Sequence, residues 1–268
     1  MTGAARAHRA VVARAHRALV VGAQQAAALG AFLAAWELFV RLFAMPKPLV
    51  PPPTVIAAEL WQIRGLIAGS AAYTMSTALA GYALAVAVGL VLAIVLASAP
   101  VLERGLFPFF VASQAVPIIA FSAVVILWLG NGPLSKVAIA FYLSFFPITV
   151  SVVKGLASCD PGSVALLRTF GARPAQILWK LRMPVMLPFL FVALRVATTT
   201  ALIGAIVGEW FGDNRGIGTL ILQSLYAEDT VRLWCGIVAC AVMGTLFYGA
   251  VVLAERRLLW WPAPALDM

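Results

Sequence analysis

Apolar residues run along this chain in blocks that are too long and too uniform for one face of a surface helix. The blocks extend from about Ala18 to Ala44, Ala72 to Ser98, Phe107 to Leu129, Lys136 to Val153, within Pro188 to Val207, and from about Leu233 to Ala254. A helix on a water-soluble protein shows an apolar stripe and a polar face; most of these runs show no polar face. Several reach the roughly 20 residues needed to cross the hydrocarbon core of a bilayer. The pattern predicts an all-α, polytopic membrane protein with six transmembrane helices. The breaks are "MPKPLVPPP", "SAPVLERG", "LGNGPLSK", a polar stretch near 158–184 and "GEWFGDNRGIG", where Pro and Gly end helices.

Composition agrees: 63 % of the 268 residues are hydrophobic and 11 % charged, against about a quarter charged in a soluble domain. The net charge of +9 would suggest an acidic partner such as nucleic acid in a soluble protein. In a membrane protein basic residues mostly mark cytoplasmic loops, so no nucleic-acid partner is expected. With the N-terminus inside, the cytoplasmic set is Arg6, Arg9, Arg14, Arg17, Arg104, Lys154, Arg168, Arg173, Lys180, Arg182, Arg256 and Arg257. The outer set is Arg41, Lys47, Arg64, Lys136, Arg215 and Arg232, with Arg195 inside the fifth span. Twelve against six places both termini in the cytoplasm. The chain then divides into a basic cytoplasmic tail at 1–17, a membrane domain at 18–254 and a cytoplasmic tail at 255–268. The basic start resembles a signal peptide but leads into a long apolar run without a small-residue cleavage site, and reads as a retained first span.

Cys159, Cys235 and Cys240 have neither metal-ligand spacing nor even parity and read as small core residues, and no metal site is expected. Small residues recur every fourth position at Gly81, Ala85, Gly89; at Ala197, Ala201, Ala205; and at Gly236, Cys240, Gly244. Such ridges let helix backbones approach closely in lipid, and packing within the chain is the simpler reading.

The polar stretch "SCDPGSVALLRTFGARPAQILWKLRMP" is too polar to cross a bilayer and too apolar for a linker. Asp160-Pro161 reads as an N-cap followed by proline in the first turn. Val164, Leu167 and Phe170 fall on one face of a short helix, with Ser163 and Arg168 elsewhere, and Gly171 suits the left-handed position that ends it. Arg173-Pro174 starts a second helix, and Pro184 and Pro188 interrupt or kink it as the chain re-enters the membrane. A short amphipathic helix of this kind fits a lipid interface or a groove on a partner.

The segment resembles the cytoplasmic loop of ATP-binding-cassette (ABC) importer permeases, whose pattern is Glu-Ala-Ala, three residues, Gly, nine residues, Ile, one residue, Leu-Pro. Gly171 holds the glycine, Leu181 the Ile position and Met183-Pro184 the Leu-Pro. Ala165-Leu166-Leu167 replaces Glu-Ala-Ala, so the acidic residue is missing. The resemblance continues through "VPPPTVIAAELWQ", "SQAVPIIAFSAVVILWLGNGPLSKVAIAFYLSFFPITVSVVKGL" and "LRVATTTALIGAIVGEWFGDNRGIGTLIL". Together these are similar to the type I permeases for nitrate, sulfonate, taurine and thiamine- or riboflavin-precursor uptake, and "GEWFG" leans toward the vitamin-precursor members.

The resemblance implies a permease of the inner (plasma) membrane, paired as a homodimer, that docks a coupling helix on a separate ATPase subunit. It also implies a periplasmic or lipid-anchored binding protein that delivers solute. Ser163, Val164, Leu167, Arg168, Phe170, Gly171, Ala172 and Pro184 would carry the coupling contact. ATP and Mg would sit on the partner, and this chain would bind no cofactor. Lys47, Lys136, Lys154 and Lys180 follow Pro46, Ser135, Val153 and Trp179 rather than glycine, so the sequence has no phosphate-binding loop.

Polar groups inside spans are costly unless they face the bundle interior, which makes them pathway candidates. They are Ser113 and Gln114 before Pro117, Ser144 and Thr149 around Phe145-Phe146-Pro147, and Thr198 and Thr199. Ser and Thr also bond back to their own helix. Arg195 is expected to reach toward the cytoplasmic face rather than to pair with another helix. Glu209 and Trp210 stand at the outer boundary, as an outer gate or a contact for the binding protein.

The rival classes are weaker. An intramembrane enzyme lacks paired intramembrane carboxylates and a His-Glu-x-x-His motif, so the chain is not read as an enzyme. An ion-coupled secondary transporter or channel would want a buried acidic relay, and Glu37 and Glu209 come nearest to one.

Overall fold

The computed structural model describes residues 3–43 and 50–259. Lys47 and the end of the C-terminal tail lie outside the described residues, as do the side chains of the basic tail from Arg6 to Arg17. The described residues form helices α1 (Gly3–Leu42), α2 (Pro53–Gln62), α3 (Arg64–Ser98), α4 (Pro100–Ser113), α5 (Ile118–Leu129) and α6 (Pro133–Ala157). These are followed by α7 (Pro161–Thr169), α8 (Pro174–Ile177), α9 (Met183–Glu209), α10 (Ile217–Tyr226) and α11 (Thr230–Leu258).

Among the described residues, five helical runs are long and apolar enough to cross a membrane: Gly22–Leu42, Arg64–Ser98, Pro133–Ala157, Pro174–Glu209 and Thr230–Leu258. The expected third span is not one helix. It is α4 and α5, bent by 97° at the break 114–117. Pro117 has no N–H to continue the ladder of α4 and instead caps the start of α5. Counted as one broken span, the pair brings the total to six.

The fifth span also differs from expectation. Helix continues from Pro174 through Glu209 over 36 residues, beginning well before Pro188. Residues Leu178–Arg182 wind as a π-turn, with the Met183 N–H donating to the Leu178 carbonyl. In an α-register the Pro184 ring would press on the carbonyl four residues earlier. The wider turn absorbs the missing donor, so the proline does not end the helix.

The core is the packing of α6 between α3 and α9. Close approach is made possible at Ala140, which is fully buried. A Cβ added at Gly81 would lie 2.6 Å from the Ala140 Cβ, and one at Gly204 would lie 2.7 Å from the Ala140 Cα. Two glycines thus clamp one alanine from opposite sides. Ala85, Ala197, Ala201 and Ala205 are likewise fully buried, so these small-residue ridges serve packing within the chain. Gly236 receives Ile221 of α10. Helix α1 is held at its end, where Glu37 accepts from the Thr54 N–H (3.1 Å) and hydroxyl (2.8 Å) and Trp36 meets Trp234 of α11. Cys235 is buried, and Cys159 and Cys240 are half-buried.

Candidate functional site

Helix α7 forms as its sequence dictates. Asp160 accepts from the Ser163 N–H (2.8 Å) and hydroxyl (2.9 Å), and Pro161 fills the first turn where its missing N–H costs nothing. The Ser163 backbone N–H first, then its hydroxyl, hold the Asp160 carboxyl below the usual carboxylate range. At the other end the Ala172 N–H returns to the Leu167 carbonyl (3.0 Å) and the Gly171 N–H to the Arg168 carbonyl (2.9 Å). Gly171 has φ +76°, a Schellman stop that a residue with a Cβ adopts only under strain.

Val164 and Leu167 are half-buried, but Phe170 turns away from them and is 79 % exposed, next to Leu166 at 58 %. The single apolar face expected of Val164, Leu167 and Phe170 is therefore divided. One part packs inward and the other stands free at the tip. Ala165, in the position of the missing acid, is exposed as well, as are Arg168 and Gly171, while Ser163, Ala172 and Pro184 are half-buried. A rigid, capped knob with an uncovered Phe and Leu is suited to insertion into a cleft.

The pathway candidates separate into two groups. Ser144, Thr149 and Thr198 are buried, and each hydroxyl donates to its own helix, to the Ala140, Phe145 and Arg195 carbonyls at 2.8, 2.9 and 2.7 Å. They sit in the contacts of α6 with α3 and α9 and line no open surface; back-bonding satisfies them there. Phe145 packs edge-on against Phe110 (5.9 Å) and beside Phe141 (5.4 Å), and Phe146 and Pro147 are half-buried. Gln114, Pro117 and Thr199 are exposed. The first two occupy the bend between α4 and α5, where the Tyr142 hydroxyl donates to the Ser113 carbonyl.

Arg195 does not reach out alone. Its Nε donates to the Glu255 carboxylate at 2.7 Å, tying α9 to α11. The expected reach toward the cytoplasmic face thus ends on a partner helix, at the residue where the predicted cytoplasmic tail begins.

The opposite end of the bundle holds a polar cluster that sequence reasoning missed. Glu209 is 1 % exposed. Its carboxylate accepts from the Gly218 N–H and from the Thr74 hydroxyl, both at 2.7 Å, while the Ile217 N–H donates to the Thr74 oxygen at 2.9 Å. An acid from α9 thereby caps the start of α10, where free N–H groups and the helix dipole favour negative charge. Gly216, at φ +108°, makes the turn beneath it, and a side chain there would collide with Glu209. In this conformation the Gly218 N–H of α10 and the Thr74 hydroxyl of α3 each take one oxygen of Glu209, the residue the sequence read as an outer gate or a contact for the binding protein. Trp210 beside it is partly exposed.

Next to this cap, Lys136 is fully buried. Its ammonium lies 3.1 Å from Asp213 and donates to the Asn131 side chain at 2.5 Å. Asn131 donates in turn to the Gly212 carbonyl (2.5 Å), and Tyr73 donates to Asp213 (2.9 Å). Burial pushes the Asp213 carboxyl up, but the Tyr73 and Lys136 hydrogen bonds and the lysine charge outweigh it and hold the group below its ordinary range. The cluster joins α3, α6 and the loop after α9. Lys136 and the "GDN" loop were both visible in sequence, but nothing local announces their pairing.

A family model described as binding-protein-dependent transport system inner membrane component matches residues 85–260. The chain is 32 % identical over 229 residues to the formylaminopyrimidine transport permease protein ThiX of Halalkalibacterium halodurans, covering 85 % of this chain and 92 % of that one. It is 33 % identical over 233 residues to the riboflavin transport system permease protein RibX of Chloroflexus aurantiacus, covering 86 % and 87 %. Among solved structures, an inward-facing form of the MetNI methionine ABC transporter superposes with a TM-score of 0.63. It is 18 % identical and covers 73 % of this chain and 97 % of that one, a likeness of fold.

Proposed function

The chain belongs to the family of binding-protein-dependent transport system inner membrane components, the permease subunits of ABC importers, and on that premise we propose what it carries and how it is driven. The solute is a planar nitrogen heterocycle of the thiamine- or riboflavin-precursor class. Two relatives above 30 % identity carry formylaminopyrimidine and riboflavin in their names. The family works with ATPase and solute-binding subunits, and here ATP and Mg belong to the ATPase chain. A second copy of this chain completes the pathway.

The observation that carries the mechanism is the α7 knob: capped at both ends, with Phe170 and Leu166 uncovered. Arg104, Lys154, Arg168, Arg173, Lys180, Arg182, Arg256 and Arg257 share its side of the predicted spans, so α7 faces the cytoplasm and receives the ATPase. ATP binding draws two ATPase subunits together, and the knobs move with them. Because only the four-residue turn 170–173, fixed by its Schellman hydrogen bonds, separates α7 from α8, and α8 continues through the π-turn into α9, that motion reaches a core helix through a short connection. Contacts that differ between the two states shift the bundle between inward and outward access. Gln114 and Pro117 at the α4–α5 bend, with Thr199, remain the polar and kinked surface available to line the pathway.

The test is uptake into vesicles containing this chain, its ATPase and its binding protein. ATP-dependent accumulation of a labelled aminopyrimidine or riboflavin, competed by that compound and not by taurine, is the expected result. Accumulation by this chain alone down an ion gradient would refute the reading.

A further inference from the structure

Behind the knob lies a groove of about 830 Å³, lined by Arg168, Arg173 and Arg182 together with Ala97 and Ser98 at the end of α3 and Ile177 of α8. Among the described residues none of its lining side chains is acidic. None of the ion pairs among the described residues involves these three arginines. The Arg182 Nε is buried and has no hydrogen-bond partner. A guanidinium N–H withdrawn from water and left unpaired is costly, and Arg182 shares the concavity with the exposed guanidiniums of Arg168 and Arg173 and with no lining acid. The site is built for something anionic.

Its position narrows the choice. The floor is the last turn of α3, a 35-residue apolar helix that ends at Ser98, so the groove opens where a span leaves the hydrocarbon. Ile177 and Leu178 give it an apolar wall, and Trp179, next along the chain, is 63 % exposed as an interfacial ring would be. The volume falls in the range of sites for drug-sized ligands and exceeds what a bare phosphate needs. Planar guanidiniums suit phosphate oxygens bidentately, and basic pockets between spans hold lipid head groups.

We propose that this groove binds the phosphodiester head group of an anionic phospholipid such as phosphatidylglycerol. The three arginines hold the phosphate, and the glycerol backbone lies against Ala97 and Ile177. The lipid neutralises the charge behind α7 and braces the knob against the membrane, leaving Phe170 and Leu166 for the ATPase. The inference rests on the reading that α7 lies at the inner membrane surface.

Native mass spectrometry of the detergent-purified full chain tests it, with phosphatidylglycerol, phosphatidylcholine or glycerol phosphate added in turn. The wild type should retain phosphatidylglycerol at concentrations at least about tenfold below those needed for phosphatidylcholine. R168Q/R173Q/R182Q should lose that preference, while R256Q/R257Q, basic residues at the same end outside the groove, should keep it. Equal retention of both lipids by the wild type, an unchanged preference in the triple variant, or displacement by equimolar glycerol phosphate would each overturn the assignment. If the triple variant fails to fold, the wild-type comparison of the two lipids decides. ATPase co-purification is measured on the same samples. A wild type without lipid preference whose triple variant loses the ATPase would give the groove to the ATPase instead. A wild type that prefers phosphatidylglycerol but never holds an ATPase would sink the proposed coupling and not the lipid site.

Discussion

Lys136 and Asp213 set the end of the bundle opposite α7 one charge at a time. A buried ammonium is tolerable only with a paired anion and filled hydrogen bonds, and Asp213, Asn131 and the Tyr73 hydroxyl close that circuit. D213N should therefore cost about 3–5 kcal/mol, because it leaves a buried lysine uncompensated. Replacing both partners, as K136M/D213N, should recover most of that loss in thermal unfolding in detergent; a double variant as unstable as D213N would show that the pair is not the source. The same contact has a pH signature. The folded-state pKa of Asp213 is lowered, so its contribution is complete above the unfolded value of about 3.9. It is lost as pH falls through the lower folded value. The melting temperature should drop on acidification below about pH 4 by more in the wild type than in D213N.

The proposed coupling knob is a property of an element, and Gly171 is where the element stops. G171V places a β-branched residue at φ +76°, costing about 1–2 kcal/mol locally and changing the direction in which the chain leaves α7. ATP hydrolysis should persist while uptake falls, whereas G171N, which tolerates the left-handed region, should retain coupling. Equal uptake in the wild type and G171V would count against the geometry. This element was legible in the sequence because its determinants are local: Asp160, Pro161 and Gly171 act on backbone within a few residues. The α4–α5 break was not: Pro117 in the run from Phe107 to Leu129 marks where a helix can bend or end, but the sequence there says nothing of the 97° angle. Pro184 misled in the other direction, because a π-turn can absorb a proline that an α-register rejects, and Pro188 lies inside the continuous helix α9. The Glu209 cap and the Lys136 pair join residues distant in sequence, which no periodicity reports. Ser144, Thr149 and Thr198 look like pathway residues in sequence only because a hydroxyl bonded to its own carbonyl is indistinguishable there from one facing water.

At the scale of the whole molecule, the three core helices are locked together because Gly81, Ala140 and Gly204 leave no space between them. G204V should destabilise the bundle by about 1–3 kcal/mol through overpacking, lowering the melting temperature without touching ATPase binding in whatever folds. Under the proposed coupling, the core is joined to the exposed knob through the short turn at 170–173, and a push at one end becomes rotation of the spans. The most direct measurement of that claim is photocross-linking from a probe placed at position 170, in membranes containing this chain, its ATPase and its binding protein. The account predicts cross-links to the ATPase subunit whose yield changes when ATP is added. Cross-links to lipid alone, with uptake intact, would contradict it.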